Sequence, residues 1–286
     1  MSAMASDTFL QRVSIRPAHK SDLTAIVALL LTSFRQFPLF DFLYSPLNRN
    51  FDVAHDTVFF WRRRLLLDLL DPEASVIVAE APLNSLVSVL GGEPDDQNDP
   101  IYQKSVAALD WTERNGLPAR STLSQDNCIV GFAIWRFRKG GNSDSQPMKA
   151  RHSPSCCNSL KASMTNFEVS FWKRVYQRKD QEPTRFAAYL AAEEELSKTH
   201  YQESCYYLDN LCVDFRYHRL GIGTLLLKWG LEVAQKHKLW VGTEAAPKGL
   251  GLYLKHGFKQ VGWFIVVVHD VEHRAPVLRL SDYSLA

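Results

Sequence analysis

An apolar run, Tyr206 to Val213, breaks off at a short basic segment. Two glycines spaced G-x-G follow, and an amphipathic helical pattern begins at once (Val213-Asp-Phe-Arg-Tyr-His-Arg-Leu-Gly-Ile-Gly-Thr224). No other stretch constrains the fold as strongly. At a helix start the backbone N–H groups point outward and the helix dipole favours negative charge, so the order strand, glycine turn, helix makes an anion site. Gly221 and Gly223 let a ligand approach the backbone closely. The spacing suits a diphosphate. It is not a Walker A loop, because G-x-x-x-x-G-K-[ST] is missing. It is not a dinucleotide fingerprint either: Leu226 holds the third glycine position, and no leading βαβ unit precedes it.

The remaining elements follow from periodicity. Val13–Pro17 reads as a strand. Ser21 or Asp22 caps a helix through Leu23, Ile26, Val27, Leu30 and Leu31. Val58, Trp61, Leu65 and Leu69 place a helix over 54–70, ended by Pro72. Ser75–Glu80 is a strand and pairs with the clear strand Cys128–Phe137. The segment between them has loop composition, with a short helix around 102–114. A second irregular segment spans 139–159, followed by helices around 160–178 and after Pro183. After the glycines, Leu226, Trp229, Gly230 and Val233 form the apolar stripe of a helix. Leu239–Glu244 is a strand, Pro247 opens a helix to His256, Gly257 closes it, and 258–268 supplies one or two last strands. The order β-α-α-β-β-(insert)-β-α-β-α-β is that of a mixed α/β single domain. Phe34–Tyr44 is too apolar for one helix stripe, contains a proline, and is expected to be a loop between helices.

Composition narrows the function classes. The 286 residues are 46% hydrophobic and 22% charged, with a net charge of +2, which by itself points to no nucleic acid. Arg62-Arg63-Arg64 and the cluster Lys173-Arg174 to Arg178-Lys179 read as solvated helix faces. No apolar run approaches the roughly 20 residues needed to span a bilayer, and no membrane association is expected. The N-terminus lacks the order of a signal peptide. Five cysteines, Cys128, Cys156, Cys157, Cys205 and Cys212, show no C-x-x-C and no zinc-ligand spacing, so no metal is expected. A cytoplasmic or nuclear setting follows, with the cysteines as core residues.

The C-terminal half resembles the GNAT acetyltransferase superfamily, whose strongest motif is Q/R-x-x-G-x-G/A. Here it stands as His218-Arg-Leu-Gly221-Ile-Gly223. Leu250-Gly-Leu-Tyr253-Leu-Lys-His-Gly257-Phe258 resembles the family's L-Y-x-x-x-G-F segment. Ile15-Arg16-Pro17-Ala18 with Asp22 resembles its R-P-A-x-x-x-D opening, and Ile129–Trp135 its third strand. The resemblance covers about 13–80, 128–138 and 205–268. It implies a mixed, mostly antiparallel central sheet flanked by helices; the two irregular or helical insertions, at about 82–127 and 139–204, lie outside the resemblance. It further implies a flexible N-terminus over 1–12 and a single acetyltransferase domain over 13–286.

The resemblance also implies a cosubstrate, acetyl-CoA, and a chemistry. His218, Arg219, Leu220, Gly221, Ile222, Gly223 and Thr224 would cradle the CoA diphosphate. His218 stands where Gln or Arg is usual, which leaves the backbone to do most of the holding and makes CoA affinity a candidate for pH sensitivity. Leu211, Cys212 and Val213 would flank the acetyl-pantetheine, with the N–H of Cys212 or Val213 as oxyanion donor. A fully paired strand has no N–H to spare, so a splay or bulge is expected there. Tyr253 occupies the position of the family's proton donor to the leaving thiolate. Two carboxylates are candidate bases: Glu244, and Asp209 if it shares a face with Leu211 and Val213. The implied reaction is acetyl transfer to a primary amine, most simply of a small molecule. A protein lysine or N-terminus, and a non-catalytic acyl-CoA-binding domain, are the alternatives. The sequence does not give the oligomeric state.

Overall fold

The structure is a computed structural model. It describes residues 9–34, 38–44, 57–82, 127–140, 163–167, 170 and 181–283. Seven strands form one sheet: β1 (Ser14–Pro17), β2 (Ala74–Pro82), β3 (Asn127–Arg138), β4 (Cys205–Val213), β5 (Trp240–Glu244), β6 (Lys259–Val268) and β7 (Val271–Leu280). Their spatial order is β1-β2-β3-β4-β5-β7-β6. Every neighbouring pair is antiparallel except β4 and β5. The helices are α1 (Leu23–Phe34), α2 (Pro38–Leu43), α3 (Phe59–Leu70), α4 (Pro183–His200), α5 (Ile222–Lys236) and α6 (Leu250–Lys255). The fold is therefore a mixed α/β domain with a mostly antiparallel sheet flanked by helices.

A parallel pair needs a crossover, and α5 supplies it between β4 and β5. The helix turns Ile222, Leu226, Leu227, Gly230, Leu231 and Ala234 onto the sheet. Trp229 and Val233 lie at the edge of that stripe, one step off the expected face. Gly230 has a steric reason: a Cβ there would overlap the indole of Trp135, which is fully buried and stacks on Tyr206 with centroids 5.1 Å apart. On the opposite face, α1 and α3 cover β2 and β3, and α4 packs on β6.

Several expectations are corrected. The helical turn before α1 begins at Lys20, not at a Ser21 or Asp22 cap. Asp22 is fully buried; its carboxylate accepts from the His19 N–H at 2.7 Å and takes two bonds from Arg16. Arg16 also reaches Glu80 at 2.5 Å, which ties β1, β2 and the start of α1 together. Residues 38–43 are the helix α2 rather than a loop, and Phe42 and Leu43 are buried beside α4 and β7. Phe9 is buried and stacks on Tyr217. Nor are Arg62 and Arg63 merely solvated: Arg62 donates to Thr24 at 2.9 Å, and Arg63 lies over the Phe59 ring at 3.1 Å.

The helix expected from Pro247 is shorter and starts at Leu250, after a turn. Gly257 takes a φ of 83°, the left-handed value its closing role requires. Strand β7 was not expected at all. Its alternation is masked because His273 points inward among Ala275 and Val277, while Glu272 and Arg274 point out. The segments around 102–114, 141–159 and 173–179 lie outside the described residues; 163–167 are helical.

Candidate functional site

Strands β4 and β5 pair only over Cys205–Tyr207 and Trp240–Gly242. Beyond this both strands continue without each other. Thr243 makes the last bridge, its hydroxyl donating to the Leu208 carbonyl at 3.0 Å. A cleft therefore opens in the sheet between Asp209–Val213 on one side and Thr243–Glu244 on the other. Strand β4 also carries a bulge. Against β3, Ile134 pairs with Asn210 and Trp135 with Leu208, so Asp209 is the extra residue.

The hydrogen-bond alternation fixes which backbone groups face the cleft. Asp214 N–H donates to Val130 O of β3 at 2.9 Å. In an antiparallel ladder Cys212 and Asn210 then face β3 as well, and the N–H groups of Leu211 and Val213 point to the open side. Of the two candidate oxyanion donors, Val213 is thus aimed into the cleft, and Cys212 is not. The Cys212 thiol is buried on the α1 face and pushed up to about 12 by that burial, as is that of Cys205. Neither is a nucleophile.

The bulge also reverses the faces. Leu211 and Val213 pack towards α5, with Tyr206 and Leu208. Asp209 lies on the other face, 3.6 Å from the Arg136 guanidinium, which also holds Asp68 at 2.6 Å and Asp71. The premise that Asp209 shares a face with Leu211 and Val213 does not hold.

The glycine turn has two distinct halves. Gly221 sits at the N-cap of α5 with a φ of 91°, and a Cβ there would lie 2.8 Å from Leu10. The fold itself requires this glycine. Gly223 has ordinary helical geometry. A Cβ there would meet Leu252 at 3.4 Å and Leu211 at 3.7 Å, both normal contacts. Among the described residues nothing demands a glycine at 223. The side chains of Leu220 and Ile222 are core, so only their backbone is available to a ligand. Arg219 is exposed with a φ of 62°, and Thr224 is half-buried. The His218 ring nitrogen bonds the Val213 carbonyl at 2.9 Å, so this imidazole buttresses the turn onto the strand end. These features fit a CoA diphosphate over the start of α5 and a pantetheine arm along the open edge of β4.

Tyr253 projects from α6 under this edge. It is buried, its ring packs edge-on against Phe258 at 5.6 Å, and its hydroxyl shares a hydrogen bond with Thr243. Burial, with Cys212 nearby, pushes the phenol above its ordinary value, so it stays protonated at neutral pH. The His256 ring nitrogen bonds the Leu252 carbonyl at 2.9 Å and so satisfies the end of the helix.

Glu244 follows Thr243 in β5 and faces the other side of the sheet. Its carboxylate accepts the Tyr201 hydroxyl at 2.5 Å and the Tyr207 hydroxyl. Burial raises its pKa, while the two phenols and Arg138 work against that rise. Sequence reasoning missed Thr243, Tyr201, Tyr207 and Arg138. The signal for Tyr201 is Gly242, a glycine in mid-strand with no turn to explain it. Among the described residues, no group of three His, Cys, Asp or Glu is placed to hold a metal. No helix among them is long and apolar enough to cross a membrane.

Residues 174–260, which include β4, the glycine turn, α5, β5 and α6, match the model of the acetyltransferase (GNAT) domain. A 65-residue segment is 40% identical to a probable acyltransferase, SID5, of Ajellomyces capsulatus; it covers 23% of this chain and 44% of that protein. The match thus spans less than half of that relative. Among solved structures, a polyamine N-acetyltransferase of Drosophila melanogaster is 11% identical over 94% of this chain and 99% of its own, with a TM-score of 0.48. A structure from Corynebacterium glutamicum described as histone acetyltransferase HPA2 and related acetyltransferase is 15% identical over 94% of both chains, with a TM-score of 0.45. Over residues 174–260 the chain is thus similar to the acetyltransferase (GNAT) domain.

Proposed function

We propose that the protein transfers an acetyl group from acetyl-CoA to a primary amine of a small molecule by direct attack. One observation carries this reading. The cleft between β4 and β5 is flanked by a proton donor on one face of the sheet, Tyr253, and by a carboxylate on the other, Glu244. Such an arrangement suits two reactants that meet through the sheet from opposite sides.

Acetyl-CoA supplies the activated acyl group as a thioester. The chain's residues do the rest. The start of α5 holds the diphosphate through backbone N–H groups, with Gly223 permitting contact. The open edge of β4 at Leu211 and Val213 orients the arm, and the Val213 N–H stabilises the oxyanion. Glu244 takes the proton of the attacking amine, and the Tyr253 hydroxyl gives one to the leaving thiolate.

The test uses the full chain with acetyl-CoA and a panel of 2-phenylethylamine, spermidine and a lysine peptide, reading thiol release with a chromogenic disulfide. Release that depends on either small amine is expected. Tight CoA binding with no amine-dependent release overturns the proposal, and release with the peptide alone moves the acceptor to protein.

A further inference from the structure

Glu244 is gripped at both oxygens, and the grip is assembled from four elements. Tyr201, the residue that closes α4, donates to one oxygen at 2.5 Å, and Tyr207 of β4 donates to the other. Arg138 at the end of β3 lies over the Tyr207 ring at 3.4 Å and over the Tyr201 ring at 5.0 Å. Strand β5 is shaped to admit Tyr201. Trp240 stacks on its ring with centroids 5.5 Å apart and planes 8° from parallel. Two residues on, on the same face, Gly242 leaves the ring its space; a Cβ there would lie 2.5 Å from it. Without that glycine the hydroxyl could not reach Glu244.

We infer that Tyr201 and Tyr207 are positioning residues for Glu244: their hydroxyls fix both carboxylate oxygens and favour the ionised form against the effect of burial, so that the group beside the cleft can take the proton of the attacking amine. The inference rests on the acetyl-transfer reading above. In the step, the amine N–H bond breaks, its electron pair stays on nitrogen, and an O–H bond forms on Glu244. A carboxyl that gains this proton loses an acceptor site, and one phenol must turn away. The grip thus favours the ionised, receptive form. The phenols cannot lose their own protons to the carboxylate, because burial beside Glu244 raises both well above their ordinary value. The charged and titratable groups around Glu244 include Arg138 from β3, Tyr189, Glu193 and Tyr201 from α4, and Cys205 and Tyr207 from β4, with Asp209 acting on Tyr207. Arg138 is the cation among them and offsets Glu193.

The experiment titrates Glu244 in the full chain by infrared spectroscopy, following the protonated carboxyl band that Glu244→Gln removes. It is run on the wild type, Tyr207→Phe, Tyr201→Phe and Gly242→Ala, with thermal unfolding as a check on each. Loss of one charge-assisted bond is expected to raise the midpoint by about one to two pH units. The acidic limb of kcat/KM for the best amine of the panel above should move by the same amount, with KM for acetyl-CoA unchanged. An unmoved midpoint in both phenylalanine variants overturns the grip. A moved midpoint with an unmoved acidic limb overturns the role in proton transfer. If no amine reacts, the acetyl-transfer reading fails, while the infrared midpoint still decides whether the phenols favour the ionised form of Glu244. Should one variant not fold, the other and Gly242→Ala carry the measurement.

Discussion

Thr243 and Glu244 are consecutive in β5 and serve opposite faces of the sheet. The Thr243 hydroxyl bridges to Leu208 and meets Tyr253 on the α6 side, whereas Glu244 takes two phenols on the α4 side. Period-two alternation in a strand whose neighbour has peeled away thus sets a hydroxyl and a carboxylate on opposite faces beside one cleft.

Tyr253→Phe tests the donor. The ring contact with Phe258 survives the change, and only the bond to Thr243 is lost, so stability should fall by about 1 kcal/mol. The kcat should drop about 10²- to 10⁴-fold, with little change in KM for acetyl-CoA. Steady-state thiol release measures both constants, and full activity in the variant would remove Tyr253 from the reaction.

The two glycines of the turn should respond oppositely. Gly221→Ala forces a side chain into a left-handed backbone and against Leu10. It should cost about 1 kcal/mol or more. Gly223→Ala meets only ordinary contacts. Alanine suits a helix better, so thermal stability should hold or rise by up to about 1 kcal/mol. Its effect should appear instead as weaker acetyl-CoA binding by calorimetry. Unchanged affinity in Gly223→Ala would leave that glycine without a function.

Gly230→Ala is a packing test away from the cleft. The added methyl overlaps the Trp135 indole, which is sealed between Tyr206 and α5. Overpacking of this kind costs about 1–3 kcal/mol. Urea unfolding should show it as a lower midpoint, and Gly230→Ala combined with Trp135→Phe should recover part of the loss.

How much of this was legible in the sequence depended on the range of the interactions involved. The glycine turn, α5 and the pairing of β2 with β3 are written in local patterns, and they read correctly. The departure from full pairing expected around Cys212 and Val213 appears as the peeling of β4 from β5 beyond Tyr207, with the bulge itself further back at Asp209. Asp209 was misjudged because the same bulge breaks the alternation that would have put it beside Leu211 and Val213. Strand β7 escaped because His273 and Pro276 disguise its period. The Tyr201–Glu244 bond joins residues 43 apart, and no local pattern encodes it; only Gly242, a residue with no turn to explain it, signals that something large must approach.

Glu244 should also leave a mark on stability that is independent of catalysis. Its carboxyl is raised from an ordinary value of 4.5, with burial the largest cause and the phenols and Arg138 tempering it. The folded chain therefore binds this proton more tightly than the unfolded chain. Between the unfolded and folded midpoints the native state carries more protons, so the contribution of Glu244 to stability falls as pH rises through that window. Below the window the buried carboxyl is neutral in both states, and above it the full cost of burying the charge is present. Glu244→Gln has no proton to lose. The stability of wild type minus variant, from urea unfolding at a series of pH values, should decline as pH climbs from about 4.5 and then level off. A difference that rises over the same range would mean that the bonds from Tyr201 and Tyr207 outweigh burial. A flat difference would mean that the carboxyl is as well solvated in the fold as in the unfolded chain.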